Sequence, residues 1–282
     1  MNTRYILFIL CCMTVLVSSC EDVVDVNLDS GPPLLAVDGW LTDRDIPDTI
    51  KVTQTSPYFS NTAPLSVVGA KVTLTTSSGE SEQLTELSSG KFIVQNIRSI
   101  EGVSYTLKIE HDGEVYEAKT TATRQSFLLD SLTFEFREKS IGQKEDGYIV
   151  QYYGKELEGK GDACRLKIKK NGVYLNSKED LNYMNDDFVD SASFKKVRMF
   201  TEKPFQLNDE VIVETWSITM DAYHFYDELR AQVNNGGIFA NPPANVRTNV
   251  KNINSSSSKK AVGYFGASLV SSVSAKVTDA DK

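Results

Sequence analysis

The chain has 282 residues, 30 of them basic and 38 acidic, for a formal net charge of −8. That balance argues against nucleic acid, whose phosphates demand a basic surface. It argues equally against electrostatic docking on anionic lipid, so any link to a membrane must be hydrophobic.

At the N-terminus Met1–Arg4 supply a small positive end, and Tyr5–Val17 form an apolar run broken only by Thr14. The run is shorter than the roughly 20 residues a spanning helix needs. A basic end, a short apolar core and small residues at a seam describe a secretory signal peptide rather than a buried helix. The seam, VLVSSCEDVVDV, holds Leu16-Val17-Ser18-Ser19-Cys20, which resembles a bacterial lipobox. That resemblance implies cleavage before Cys20 and acylation of its thiol and new amino group, with palmitate-type chains as the anchor. One acyl chain holds only marginally at about 0.8 kcal/mol per methylene, so two or three make a durable tether. Cys11 and Cys12 would leave with residues 1–19, and Cys20 would be acylated. Cys164 then has no disulfide partner and reads as a small buried residue. Residues 20–32 form an acidic tether. Glu21, Asp22 and Asp25 resemble the sorting signals that carry Bacteroidota lipoproteins to the cell surface.

From Pro33 the pattern becomes short strands and turns, with glycines at 69, 79, 90, 102 and 113. Such regular punctuation between β-rich segments predicts a sandwich or barrel over 33–124. Val103, Tyr105, Leu107 and Ile109 alternate with polar residues, and Asp112-Gly113 supplies a tight hairpin turn. The stretch AKVTLTTSSGESEQLTELSSGKFIVQ with GVSYTLKIEHDGEVYEAKT resembles immunoglobulin- or transthyretin-like and carboxypeptidase-regulatory-like sandwiches.

A boundary is expected near Thr123–Ser126, with a second β-rich domain over 125–282. Asn171-Gly172 marks a type I′ hairpin. Residues 219–234 predict one helix, with Ala222, Tyr226, Leu229 and Val233 on a single apolar stripe and Gly236-Gly237 as its stop. An irregular excursion over 235–260 and a final strand at about Gly263–Val277 complete a mainly β chain of two sandwich-like domains with one amphipathic helix.

No catalytic constellation emerges. The two histidines have no His-x-x-x-His spacing, and no Gly-x-Ser-x-Gly elbow or phosphate loop is present. Asp221, His224 and Glu228 share a helix face at i, i+3 and i+7, but a solvated face explains them better than a metal. Asn185-Asp186-Asp187 with Asp190 carry hard oxygens suited to calcium without the order or glycine of an EF-hand, and a polar loop is the expectation. Carboxylate pairs for glycoside hydrolysis stay open among so many acids. Tyr148, Tyr152 and Tyr153 read as packing. No cofactor and no metal ligand are assigned.

Several stretches together resemble the Bacteroidota lipoprotein family filed as domain of unknown function 4249. They are the lipobox, then Leu35-Ala36-Val37-Asp38-Gly39-Trp40-Leu41-Thr42-Asp43, then FANPPANVRTNV, then Gly263-Tyr264-Phe265-Gly266-Ala267. Ser255–Lys260 departs from the glycine-rich stretch expected there. The resemblance implies an outer-membrane lipoprotein, lipid-anchored and facing the cell exterior, often encoded beside a TonB-dependent transporter. It carries no catalytic residues. A non-enzymatic accessory of that transporter, capturing ligand or covering the barrel mouth, is the first expectation; a structural or adhesive surface protein without a transporter is the second. The candidate partner loop is Ile238, Phe239, Pro242 and Pro243, where the prolines stiffen the loop and reduce the ordering cost of binding; the alternative expectation is that Phe239 plugs the second core. Asp48-Thr49, Asp130-Ser131 and Asp190-Ser191 fit the O-glycosylation pattern of the phylum, and Ser191 is the best candidate.

Overall fold

The first eight strands are β1 (Leu35–Thr42), β2 (Asp48–Gln54), β3 (Lys71–Thr76), β4 (Ser81–Gln83), β5 (Thr85–Ser88), β6 (Lys91–Val94), β7 (Ser104–His111) and β8 (Glu114–Thr121), with alternate residues buried along β3, β7 and β8. The structure, a computed structural model, describes residues 31–57, 60, 62–140, 145–235 and 244–281. In β7, Tyr105, Leu107 and Ile109 are buried while Thr106 and Lys108 lie on the other face, the two-sided pattern of a strand with one wet face. Asp112 (φ 49°) and Gly113 (φ 74°) turn β7 into β8, the positive pair that a type I′ hairpin requires.

The next strands are β9 (Phe127–Arg137), β10 (Gly147–Glu156), β11 (Ala163–Lys170), β12 (Val173–Tyr174), β13 (Asn182–Asn185), β14 (Ser193–Arg198) and β15 (Glu210–Ile218). Helix α1 (Met220–Val233) follows, then β16 (Val250–Asn252), β17 (Ala261–Ser268) and β18 (Val270–Lys276). Asn171-Gly172 turns β11 into β12 with φ of 50° and 81°, as its sequence predicts.

Two sandwiches result. In the first, a sheet of order β17-β1-β2-β6-β5 faces one of order β16-β8-β7-β3-β4, enclosing Leu41, Ile50, Leu74, Phe92, Leu107 and Phe265. In the second, β14-β10-β9 faces β12-β11-β15-β18, with β13 also on β11; Val150, Cys164, Ile168, Phe205 and Val213 fill it. Cys164 is fully buried there, and that burial pushes its thiol pKa well up.

The last third of the chain differs from expectation. Instead of one strand over 263–277, the chain forms β17 and β18 on either side of Leu269. β17 leaves the second sandwich and runs parallel to β1, while β18 runs antiparallel to β15 in the second. β16 likewise pairs with β8. Residues Pro33–Lys282 therefore form one compact unit, knitted by strands returning from the far end of the sequence.

Two glycines of the GYFGA stretch permit the return. A Cβ at Gly263 (φ 89°) would sit 2.0 Å from the Val37 carbonyl oxygen, and one at Gly266 would sit 2.1 Å from the Trp40 ring. Only a residue without a side chain lets the two strands and the indole approach so closely. The two family stretches, around Trp40 and Gly266, are thus opposite each other in one ladder.

Trp40 stacks on Tyr226 at 5.7 Å and on Tyr264 at 6.0 Å, pairs worth about 0.5–1.5 kcal/mol each beyond their buried area. Tyr226 belongs to α1, whose Thr219 cap accepts a hydrogen bond from the Ala222 N–H at 3.1 Å. The helix buries Ala222, Phe225 and Tyr226. Val233, expected on the same stripe, is 41% exposed; the helix packs instead through Ala222, Phe225, Tyr226 and Leu229 against Ile218 and Tyr264. No described helix is long and apolar enough to cross a membrane.

Candidate functional site

One end of the second sandwich gathers acidic side chains from three strand ends. β10 finishes at Glu156, Asp162 immediately precedes β11, and Asp186 immediately follows β13. Antiparallel pairing sets Ala163 opposite Asn185, so Asp162 and Asp186 continue the same ladder; the Asp186 N–H donates to the Asp162 carbonyl at 3.0 Å. Glu156 arrives from the facing sheet. A carboxylate oxygen from each of Glu156, Asp162 and Asp186 lies within 4.8 Å of the other two. All three residues are buried, at 2%, 8% and 1% exposure.

Their partners are unequal. Arg124 grips Asp162, its Nε donating at 3.2 and 3.0 Å to the two oxygens and its Nη2 making a still closer contact. The same guanidinium donates at 2.7 Å to the Gly159 carbonyl. The Ser191 N–H donates to Glu156 Oε2 at 2.6 Å. Glu156 Oε1 and Asp186 Oδ2 are buried with no hydrogen-bond partner. Burial pushes the Glu156 carboxyl above its ordinary range; the Ser191 N–H opposes that, and Asp162, Asp190 and Asp186 add to it.

The segment after Asp186 is tied down on both sides of Phe188. Val189 and Asp190 donate to the Asp186 carbonyl at 3.1 and 3.2 Å, and Ala192 to that of Val189 at 2.8 Å. Asp190 Oδ1 accepts from the Gly159 N–H at 3.0 Å. At its outer turn Phe188 is 97% exposed. A rigid loop thus holds a whole aromatic side chain in solvent.

A second buried polar cluster lies where the two sandwiches meet. Asp48 accepts from the Thr42 N–H at 2.6 Å and from Arg44 Nη2 at 3.2 Å. Arg44 Nη1 donates to the Tyr174 hydroxyl at 2.8 Å, which donates to Glu214 at 2.7 Å. Lys169 and the Trp216 indole N–H also donate to Glu214, each at 2.7 Å. Burial alone would raise the Glu214 carboxyl, but Lys169, Tyr174, Trp216 and Arg44 hold it below its ordinary range. Lys167 Nζ lies 4.0 Å from the ring centres of both Tyr174 and Trp216. Burial, with Arg165 and Arg44 nearby, lowers its ammonium to about 7 against the pull of Glu214.

Of the residues singled out by sequence, Cys20, Glu21, Asp22, Asp25, Ile238, Phe239, Pro242 and Pro243 lie outside the described residues, as do Gly236-Gly237. Ser191 is exposed with φ 60°. Asp186, expected in a polar loop, is instead buried, whereas its neighbour Asp187 is exposed. Glu156 and Asp162 carry no sequence signal, because only the β11–β13 register and the sheet-to-sheet packing bring them to Asp186. His224 is exposed, and Asp221 and Glu228 bind Arg247 at 3.2 and 2.7 Å; the helix face is an ion-paired surface. Tyr148 and Tyr152 are buried packing residues.

The fold and its buried acidic strand ends define a strand-built, two-sandwich scaffold that carries its polar groups at junctions and loop bases. Its family is the one described as domain of unknown function (DUF4249), which matches residues 21–274, and the chain belongs to it. No curated protein matches the chain. Among solved structures it is similar to a two fibronectin type-III domain segment from chicken tenascin, at 15% identity and a TM-score of 0.20, over 66% of this chain and 90% of that one.

Proposed function

We propose that this protein is a lipid-anchored outer-membrane protein, tethered through acyl chains on Cys20 and facing the cell exterior. In this reading it is a non-enzymatic accessory of a TonB-dependent transporter, capturing ligand or lying over the barrel mouth. The observation that carries the reading is Phe188, 97% exposed on a loop whose flanking residues Asp186, Val189, Asp190 and Ala192 are hydrogen-bonded through the backbone. A fixed aromatic side chain in water is a ready anchor for another protein, since aromatics are enriched at interfaces and little ordering cost remains. Phe200, 73% exposed, is a second such side chain. The lipobox at Cys20 and the acidic Glu21, Asp22 and Asp25 supply the address, and the loop of Ile238, Phe239, Pro242 and Pro243 a further contact surface. Ser191, exposed in the Phe188 loop, is the candidate for O-glycosylation.

Gentle detergent extraction from native membranes, followed by affinity purification, tests the partner. A barrel protein should accompany the wild type and be depleted at least tenfold with Phe188→Ser; a wild type purified alone points instead to a structural or adhesive surface protein. Cys20→Ala should abolish fatty-acid incorporation and leave an uncleaved precursor, and normal labelling would overturn the anchor.

A further inference from the structure

The acidic end of the second sandwich has an electrostatic deficit. Glu156, Asp162 and Asp186 are all at least nine-tenths buried and converge within 4.8 Å. Asp190 stands beside them, its Oδ1 on the Gly159 N–H. Arg124 is the cation that touches the group, and its Nε and Nη2 donate to Asp162 and to the Leu157 and Gly159 carbonyls. Arg124 also attracts Glu156 and Asp186 at longer range, but no described cation pairs with either of them directly. Both keep one oxygen buried and unpartnered, and leaving a buried acceptor unsatisfied costs about 1–3 kcal/mol, more when it is charged.

We infer that Glu156, Asp162 and Asp186 form a calcium site that fixes the base of the Phe188 loop. The ligand chemistry selects the ion. All three donors are hard carboxylate oxygens, which suit calcium, magnesium or manganese rather than zinc or copper. Calcium takes oxygens at about 2.3–2.6 Å in irregular geometry, so ligands on opposite sides of it stand roughly 5 Å apart. Oxygens drawn from three separate strand ends fit that tolerance better than the strict octahedron of magnesium. Water and backbone carbonyls would complete the about six to eight oxygens that calcium takes.

The site would add a polar clamp to a loop whose Val189 already packs on the second core. Asp186 opens the segment, Glu156 holds its Ser191 N–H at 2.6 Å, and the Glu156 N–H donates to the Ala192 carbonyl at 2.9 Å. A divalent ion between Glu156 and Asp186 would cross-link the first and last turns of the segment that displays Phe188. The assignment rests on these residues alone and holds whether or not the chain is lipidated.

The test is calorimetric titration of the full chain in detergent, first stripped with a chelator, using calcium chloride. The expected result is one ion per chain with Kd between about 1 µM and 1 mM, and magnesium at least tenfold weaker. Glu156→Gln and Asp186→Asn should each weaken calcium at least tenfold, while Asp187→Asn at the exposed neighbour leaves it within twofold. Should the carboxamide variants not fold, the wild type still decides: its Tm should climb with calcium concentration, as ligand linkage requires. No binding and no Tm change at about 5 mM calcium, or equal affinity in the folded variants, would overturn the site.

Discussion

Glu214 and Glu156 are both glutamates of the second sandwich, buried to 3% and 2% exposure, yet their surroundings are opposite. Glu214 sits among Lys169, Tyr174, Trp216 and Arg44, and every donor is aimed at its two oxygens. Glu156 has one backbone N–H and faces other carboxylates. The first carboxyl is held below its ordinary range and the second pushed above it. Both side chains are almost wholly withdrawn from solvent; what differs most is whether the protein supplies the counter-charge. A complete network of this kind belongs to the frame, and an incomplete one is where an external ion is to be sought.

The pH signatures differ in sign. A carboxyl lowered in the fold adds stability above its unfolded pKa and loses it as pH falls through the folded value; Glu214 behaves so. A carboxyl raised in the fold opposes stability at neutral pH and ceases to do so as pH falls through its folded value; Glu156 behaves so.

The strongest way to break the comparison is Glu214→Ala. It strands Arg44, Lys169, the Tyr174 hydroxyl and the Trp216 N–H at the joint between the sandwiches, and removing one partner of a buried pair costs about 3–5 kcal/mol. The denaturant midpoint measures it; a loss under about 1 kcal/mol would mean that water takes over Glu214's role.

Lys167 sharpens the same network from its cationic side. Its ammonium titrates at about 7 in the fold against an ordinary 10.5, so the unfolded chain binds more protons in that window and stability rises with pH. Between pH 7 and 9 the gain is about 2 kcal/mol. Lys167→Met, which keeps the stem on Tyr174 and Trp216, should erase that rise; an unchanged pH profile would show that the charge is solvated.

The smallest effect is expected at the other pole. In chelator, Glu156→Gln should raise stability at pH 7 by on the order of 1 kcal/mol or less, because it removes a buried charge while keeping an acceptor for Ser191. The gain should vanish near pH 4. A clear loss at pH 7 without calcium would mean that Glu156 is better solvated than its burial indicates.

Much of the fold is legible in the sequence wherever the determinant is local. Alternation in β7, the Asp112-Gly113 and Asn171-Gly172 turns, and the Thr219–Asn234 helix each depend on neighbours a few residues away. The return of β17 to β1 does not. Gly263 and Gly266 stand out in the sequence, but their reason, the Val37 carbonyl and the Trp40 ring, is more than 220 residues distant. The acidic cluster is half legible, through Asp186, whose polar neighbours in the sequence read as a loop.

Sequence by itself determined a mainly β chain, two of its tight turns, its helix and an N-terminal seam at Cys20, because periodicity, backbone sterics and apolar run length act within a few residues. Only the tertiary structure decided which strands close each sandwich, which buried acid receives a counter-charge, and which three carboxylates meet. Those follow from register between strands far apart in the chain, and the energy of a charge is set by the groups that packing brings within a few ångströms of it.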